Sequence, residues 1–246
     1  MVKTLEEIER IKVSCEKCKS VLHELGNIIK PGISTYEIEE KADIFLRRLE
    51  VEPAFKGYNG YPASICVSVN EEVVHTIPSR KKILKDGDIV SIDIGAVYHG
   101  FYSDYGATFP VGNISRGHEK LIEVTREAFK KGFSKAVPGM RTGDIGSAVQ
   151  RFVESNGFSV VRDFVGHGIG KALHEFPEVP NFGFPGKGAL LQENTVIAIE
   201  PMVNMGKPGV KILDDGWTVV TVDGSYSAYY EECVLITGKG PELLAS

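Results

Sequence analysis

Apolar residues near the start of the chain recur at spacings of three and four, with Leu5, Ile8, Cys15, Cys18, Leu22 and Leu25 falling on one helical face. Thr4-x-x-Glu7 ahead of them is a capping-box pattern, which predicts a helix that ends near Pro31-Gly32. Ser34-x-x-Glu37 opens a second predicted helix, with Ile38, Ala42, Phe45, Leu46 and Leu49 on one side. A third is predicted over roughly Glu119 to Phe133, and a fourth along Ile145, Ala148, Val149, Phe152 and Val153. Elsewhere the pattern changes to short apolar runs bounded by Gly and Pro, densest from Gly166 to Gly188, so strands and turns fill the space between helices. The class is mixed α/β (α+β).

The pattern also repeats. PGISTYEI at Pro31 to Ile38 answers PGMRTGDI at Pro138 to Ile145, and LKDGDIVSID at Leu84 to Asp93 answers LQENTVIAIE at Leu191 to Glu200. Both pairs are offset by 107 residues (138 − 31 and 191 − 84), and Phe45 with Phe152 and Pro78 with Pro185 keep that register. Two separate segments sharing one offset predict two structurally equivalent halves, approximately 1–110 and 111–246, within a single domain spanning 1–246. Asp93 and Glu200 then occupy equivalent positions.

Those two acids belong to a larger set. GDIVSID, FYSDYGATF, NTVIAIEPM and YYEECVLIT each interrupt a core-like apolar run with a carboxylate. An unpaired charge costs several kcal/mol, roughly, to take out of water, so acids in such runs call for cations. Four carboxylates are neutralised by two divalent ions, whereas one ion would leave an excess negative charge. A dinuclear centre is expected. His167 is the histidine best placed to join it, because Gly166-His167-Gly168-Ile169-Gly170 gives it small neighbours that let the backbone turn tightly and the ring approach a cation. The same stretch is not a nucleotide-binding loop, since G-x-G-x-G lacks the G-x-G-x-x-G spacing.

Asp93 and Asp104 lie on runs separated by Tyr98-His99-Gly100-Phe101. With His99-Gly100 as a two-residue hairpin turn, Tyr98 faces Phe101, Asp93 faces Gly106 and Gly95 faces Asp104, so both acids share a face. The final strand is ambiguous. Glu231, Cys233 and Leu235 line one face and Glu232, Val234 and Ile236 the other, and both faces are apolar enough to be buried. His75 and His174 are likewise open between structural and functional roles.

Composition narrows the partners. A net charge of −5 with both signs interspersed argues against nucleic-acid binding. The small basic cluster Arg80, Lys81, Lys82 and Lys85 reads as a solvated loop, with docking to an acidic partner such as the ribosome as the alternative. The start, MVKTLEEIER, has no signal-peptide apolar region, and no run approaches the ~18 apolar residues of a membrane span, so a cytoplasmic protein is expected. Nothing demands a partner subunit, and a monomer is expected. The four cysteines are too scattered for a disulfide framework, and Cys15 and Cys18 read as reduced core residues.

Taken together, FKGYNGYPASICVSVNEEVVHTIP, GDIVSIDIGAVYHGFYSD, VGHGIGKALHE, VIAIEPM and DDGWTVVTVDGSYSAYYEE resemble the type I methionine aminopeptidases of the M24 metallopeptidases over nearly the whole chain. The resemblance implies the pita-bread fold, a pseudo-twofold pair of α/β halves with antiparallel sheet flanked by helices. It implies removal of N-terminal methionine from peptides and nascent chains, with Asp93, Asp104, His167, Glu200 and Glu231 as ligands to two divalent ions. That choice of Glu231 over Glu232 comes from the resemblance. So do roles at the reaction centre and the substrate for His75 and His174, and a methionine pocket at Phe55, Tyr58, Tyr61, Cys66 and Trp217. Glu200 becomes the candidate for moving the proton. The oxygen-rich ligand set favours Mn, Fe or Co, with Zn as a possibility. Three positions depart from the family pattern: Thr76, Leu173 and Glu232. Two other readings carry different expectations. A prolyl-type aminopeptidase of the same fold usually has an extra N-terminal domain, and a non-catalytic relative serving as a peptide- or ribosome-binding module tends to lose ligand acids.

Overall fold

The computed structural model describes residues 1–245. Four helices flank the sheets: α1 (Leu5–Ile28), α2 (Thr35–Arg48), α3 (Arg116–Phe133) and α4 (Thr142–Ser155). The strands are β1 (Glu52–Pro53), β2 (Ile65–Val69), β3 (Glu72–Val74), β4 (Ile89–Tyr98), β5 (Phe101–Pro110), β6 (Ser159–Val160), β7 (Gly166–Gly168), β8 (Glu175–Val179), β9 (Val196–Ile199), β10 (Met202–Asn204), β11 (Val210–Ile212), β12 (Val219–Thr221), β13 (Ser227–Thr237) and β14 (Gly240–Leu243). All four helices lie where the apolar periodicity places them. Thr4 and Ser34 cap α1 and α2 through reciprocal bonds with Glu7 and Glu37, as the two sequence patterns require.

One sheet of 11 strands runs β1-β4-β5-β13-β9-β7-β8 along its main path, and β11-β12-β3 form a separate small sheet. The long hairpin β4–β5 is its most regular part. His99 (φ 49°) and Gly100 (φ 79°) both take left-handed backbone, as a two-residue turn of this kind needs. Tyr98 pairs with Phe101, Asp93 with Gly106 and Gly95 with Asp104, the register expected from the turn. One face of the hairpin packs on α1, where Cys18 Sγ donates to the Ile94 carbonyl (3.1 Å) and the Ser14 and Ser103 hydroxyls meet at 2.9 Å. Cys15 and Cys18 are reduced and buried in this core with Ile11, Leu25, Ile92 and Ile94. The opposite face is left for chemistry.

The 107-residue offset is visible in the backbone. α2 and α4 are 14 residues each and begin 107 apart (142 − 35). Isolated bridges pair Ser34 with Ile83 and Arg141 with Leu190, and the bond from Gly32 N to Leu84 O (2.8 Å) recurs from Gly139 N to Leu191 O (3.1 Å). β4 and β9 hold corresponding places, with α1 against β4 and β5 and α3 against β13 and β9. β5 and β13 meet at the centre, joined at Tyr230↔Ala107 and Glu231↔Gly106.

Candidate metal centre

Period two along the hairpin puts Asp93 and Gly95 of β4, and Asp104 and Gly106 of β5, on one face, so each acid stands opposite a glycine. The glycines are there for space. A Cβ at Gly106 would collide with the Tyr229 ring, and one at Gly95 would lie 2.6 Å from the Phe55 ring. Glu231 comes in from β13 directly beside Gly106, and Glu200 from the end of β9. His167 enters from β7, with Nε2 3.8 Å from Asp104 Oδ2 and 3.5 Å from Glu200 Oε1. Ligand atoms of Asp104, His167 and Glu231 all lie within 4.8 Å of one another.

Without cations, these acids are costly to keep ionised together. Asp104, Glu200 and Glu231 are 4%, 9% and 1% exposed, and Asp93 opens onto the cavity. Burial pushes the Asp93 carboxyl up to about 7. Burial first, and repulsion from the neighbouring acids second, drives Asp104, Glu200 and Glu231 well above the carboxylate range. Asp93 Oδ1, Asp104 Oδ1 and Glu231 Oε1 are shut off from solvent with no hydrogen-bond partner. Buried carboxylate oxygens are satisfied by donors or metals, so these orphaned atoms fit bound divalent cations. His167 fits as well. Its Nδ1 bonds the Gly168 carbonyl at 3.0 Å, which fixes the proton on Nδ1 and turns the lone pair of Nε2 toward the acids. Burial, aided by His174, holds this imidazole down to about 3, in its neutral form.

Glycines around His167 have a different reason from the tight turn expected. None of Gly166, Gly168 and Gly170 takes a positive φ, and Gly166–Gly168 is strand β7. A Cβ would strike the Ala198 carbonyl at Gly166, the Phe176 carbonyl at Gly168 and the Lys3 ammonium at Gly170. Close approach of neighbours, not turning, demands glycine here.

The two glutamates left ambiguous by alternation are separated by their partners. Glu231 faces the acids and accepts a hydrogen bond from the Tyr229 hydroxyl. Glu232 points the other way, where Lys19 Nζ meets it at 2.9 Å and the Tyr230 hydroxyl donates to it. The extra carboxylate is thus neutralised by α1, away from the cluster. The other two departures are also absorbed: Thr76 Oγ1 accepts from Ser68 Oγ at 3.1 Å, and Leu173 lines the cavity wall.

A cavity of about 170 Å³ opens onto the acids. Phe55, Tyr58, Tyr61, Cys66 and Trp217 all line it, as do His75 and His174. Asn59, Val74, Phe164, Met202 and Tyr229 also line it and were not anticipated. Tyr61 and Trp217 meet edge to face at 5.1 Å, and the Tyr61 hydroxyl is tied to the Thr76 carbonyl at 3.0 Å. Asp215 sets the Trp217 loop by accepting from the backbone of Trp217 (2.9 Å) and Thr218 (2.8 Å). His75, at φ 59° just past β3, has its ring edge-on to Phe164 at 5.3 Å, and burial lowers it to about 4. His174 stands at the solvent edge with Nδ1 2.8 Å from the Tyr58 hydroxyl and its ring 4.3 Å from that of His167. Burial lowers it too. In the basic loop, exposed Arg80 pairs with Glu40 at 3.3 Å, as a solvated turn would have it, whereas Lys82 is anchored on the buried Glu72 at 2.9 Å.

The model of metallopeptidase family M24 matches residues 9–238 of this sequence. The chain belongs to metallopeptidase family M24. Within M24, a methionine aminopeptidase of Clostridium perfringens is 52% identical over 244 residues, covering 99% of this chain and 98% of that protein. The crystal structure of a methionine aminopeptidase from Thermotoga maritima superposes with a TM-score of 0.98 at 46% identity, covering 100% of this chain and 99% of that one. A prolidase from Pyrococcus furiosus shares the fold at a TM-score of 0.82 and 26% identity, but this chain covers 65% of its length. The fold is the pita-bread fold of M24, and the likeness to type I methionine aminopeptidases read from the motifs holds. Among the described residues no helix is long and apolar enough to cross a membrane.

Proposed function

We infer that this protein is a metal-dependent aminopeptidase that hydrolyses the bond following an N-terminal methionine. The observation that carries the reading is the coincidence of three orphaned buried carboxylate oxygens with a small, aromatic-walled cavity that opens onto them. Relatives in M24 bearing the name methionine aminopeptidase over nearly their full length support it. Asp93, Asp104, His167, Glu200 and Glu231 would hold two divalent ions, whose charge balances the four carboxylates. Mn, Fe or Co suits five ligands of which four are carboxylates, and Zn is a weaker fit. When bound, such a pair lowers the pKa of water and polarises a carbonyl.

The remaining roles belong to side chains. An unbranched thioether side chain fits a pocket lined by Phe55, Tyr58, Tyr61, Cys66 and Trp217, because methionine packs well against aromatic edges. Asp93, at the junction of that pocket with the acids, receives the free α-amine. This fixes the register of the chain end without an extended groove. Glu200 takes the proton from the attacking water and returns it to the leaving nitrogen. Nδ1 of His174 lies 2.8 Å from the Tyr58 hydroxyl, and with that hydroxyl as donor the imidazole would carry its proton on Nε2 and offer it to the developing oxyanion. His75, neutral near pH 7 because burial holds it at about 4, bonds the backbone next to the scissile link.

The test is release of methionine from Met-Ala-Ser by the purified protein, with and without chelator and with Mn or Co restored. Chelator-sensitive release, with none from a Xaa-Pro dipeptide, is expected. Absence of metal-dependent release would leave a peptide-binding module as the better account.

A further inference from the structure

His174 sits on a loop that is tied down from the opposite end of the chain. Between β7 and β8 the backbone turns at Lys171 and Ala172, and both of their N–H groups donate to Glu175 Oε1, at 2.8 and 3.3 Å. The other Glu175 oxygen meets the ammonium of Lys3, and the two side chains are 5% and 3% exposed. Lys3 is itself held by backbone, with its N–H on the Asn194 carbonyl at 2.8 Å and a bridge from Val2 to Thr195 alongside. Gly170 leaves the room that its ammonium fills. Tyr102 N also bonds Gly170 O at 2.7 Å, and Lys171 Nζ pairs with Glu7 at 2.6 Å, so the loop is strapped to α1 and to the hairpin.

We propose that Lys3 is a positioning residue for His174, acting through Glu175. A carboxylate this buried stays ionised chiefly because the Lys3 ammonium contacts it, with the exposed Met1 α-ammonium farther off at 3.9 Å, and ionised it is a strong acceptor for the two N–H groups that close the turn before Leu173 and His174. With the Lys3 ammonium removed, the more distant, solvated Met1 charge is a weak substitute, and Glu175 takes up a proton or draws in water. Its hold on the turn weakens, and His174 loses the placement in which Tyr58 orients its ring. The proposal rests on the role given to His174 above.

The test uses the Mn-loaded full chain on Met-Ala-Ser. Lys3→Met, which keeps the length of the side chain and removes its charge, should lower kcat at least tenfold, leave KM within twofold and leave metal content unchanged. In a His174→Ala background the same substitution should have no further effect, whereas a general loss of structure would lower both backgrounds alike. Should Lys3→Met not fold, Glu175→Gln supplies the same cycle, since it keeps the shape and an acceptor oxygen. Unchanged kcat, a loss that multiplies that of His174→Ala, or loss of metal overturns the proposal. A His174→Ala variant with full turnover removes the underlying role and the proposal with it, while an impaired one with a multiplicative Lys3 effect removes the proposal alone.

Discussion

The two halves share a skeleton and differ in what fills it. In the first, β4 and β5 run ten residues each around a two-residue turn, and the hairpin delivers Asp93 and Asp104 as one rigid unit. In the second, β9 stops at Ile199, Pro201 follows Glu200, and β13 returns to the sheet only after β10, β11 and β12. The excursion carries Met202 and Trp217 to the cavity wall. Repeated framework therefore sets the charges, while the aromatic cavity wall is drawn mostly from the first half, at Phe55, Tyr58, Tyr61 and Cys66, and the interruption of the repeat in the second adds Met202 and Trp217. The side chains set beside the acids are unequal as well: β7 gives His167, while β2 in the first half sets Cys66 opposite Asp93.

The sharpest way to break this comparison is to neutralise the equivalent acids. Asp93→Asn and Glu200→Gln should weaken metal binding alike, because their places in the two halves correspond. Turnover at saturating Mn should separate them, with Glu200→Gln costing about a thousandfold, within the range of a lost proton-transferring group. Equal recovery of both at high metal would show that Glu200 moves no proton. Next in size is the pair of histidines. His174→Ala should lower kcat roughly a hundredfold, the scale of one oxyanion donor, with metal content by elemental analysis unchanged. His75→Ala should act mainly on KM, and the reverse pattern would exchange their roles.

Tyr229→Phe probes the seam between the halves, since its hydroxyl holds Glu231 from behind. We expect metal affinity to fall about tenfold, as for other groups that orient a ligand, while kcat at saturating metal stays near that of the parent. Titration calorimetry would detect either outcome, and unaltered affinity would make this tyrosine a packing residue.

The smallest effect is one of pH. In the metal-free protein burial raises Asp93 to about 7 and the other three acids beyond the usual range, so the folded chain keeps protons that the unfolded chain has lost above about pH 4. Stability then falls as pH rises through 7. His75 and His167, lowered to about 4 and 3, contribute the opposite slope, but that is complete once the unfolded histidines have lost their protons, by a pH of about 7 to 7.5. As pH rises above about 7, where Asp93 gives up its proton in the folded chain, the Tm of stripped protein should therefore drop and the gain on adding Mn should grow. A level or rising Tm would contradict the crowding of charge.

Much of this was legible in the sequence, for local reasons. Capping boxes at Thr4 and Ser34 and the turn at His99-Gly100 are decided by a few adjacent residues, and period two then fixes the shared face of Asp93 and Asp104. The 107-residue offset survived because the strand–turn–helix frame is used twice. Glu231 and Glu232 could not be told apart by pattern, because what separates them is Lys19, 213 residues from Glu232 in the chain. The signal for Tyr229 was present, since it shares a strand face with Glu231 two positions on. Val74, Phe164 and Met202 carried no signal: each comes from a short strand or loop whose place at the cavity is set by tertiary packing. Glycines of the Gly166–Gly170 stretch were found for the wrong reason, because crowding by Ala198, Phe176 and Lys3 involves residues remote in the chain.

Two ladder pairs, Tyr230↔Ala107 and Glu231↔Gly106, stitch β5 to β13 where the lobes meet, and the acidic cluster straddles that line. Cations held there would act as rivets across the midline, and amide exchange along β5 and β13 should then slow together when the centre is loaded.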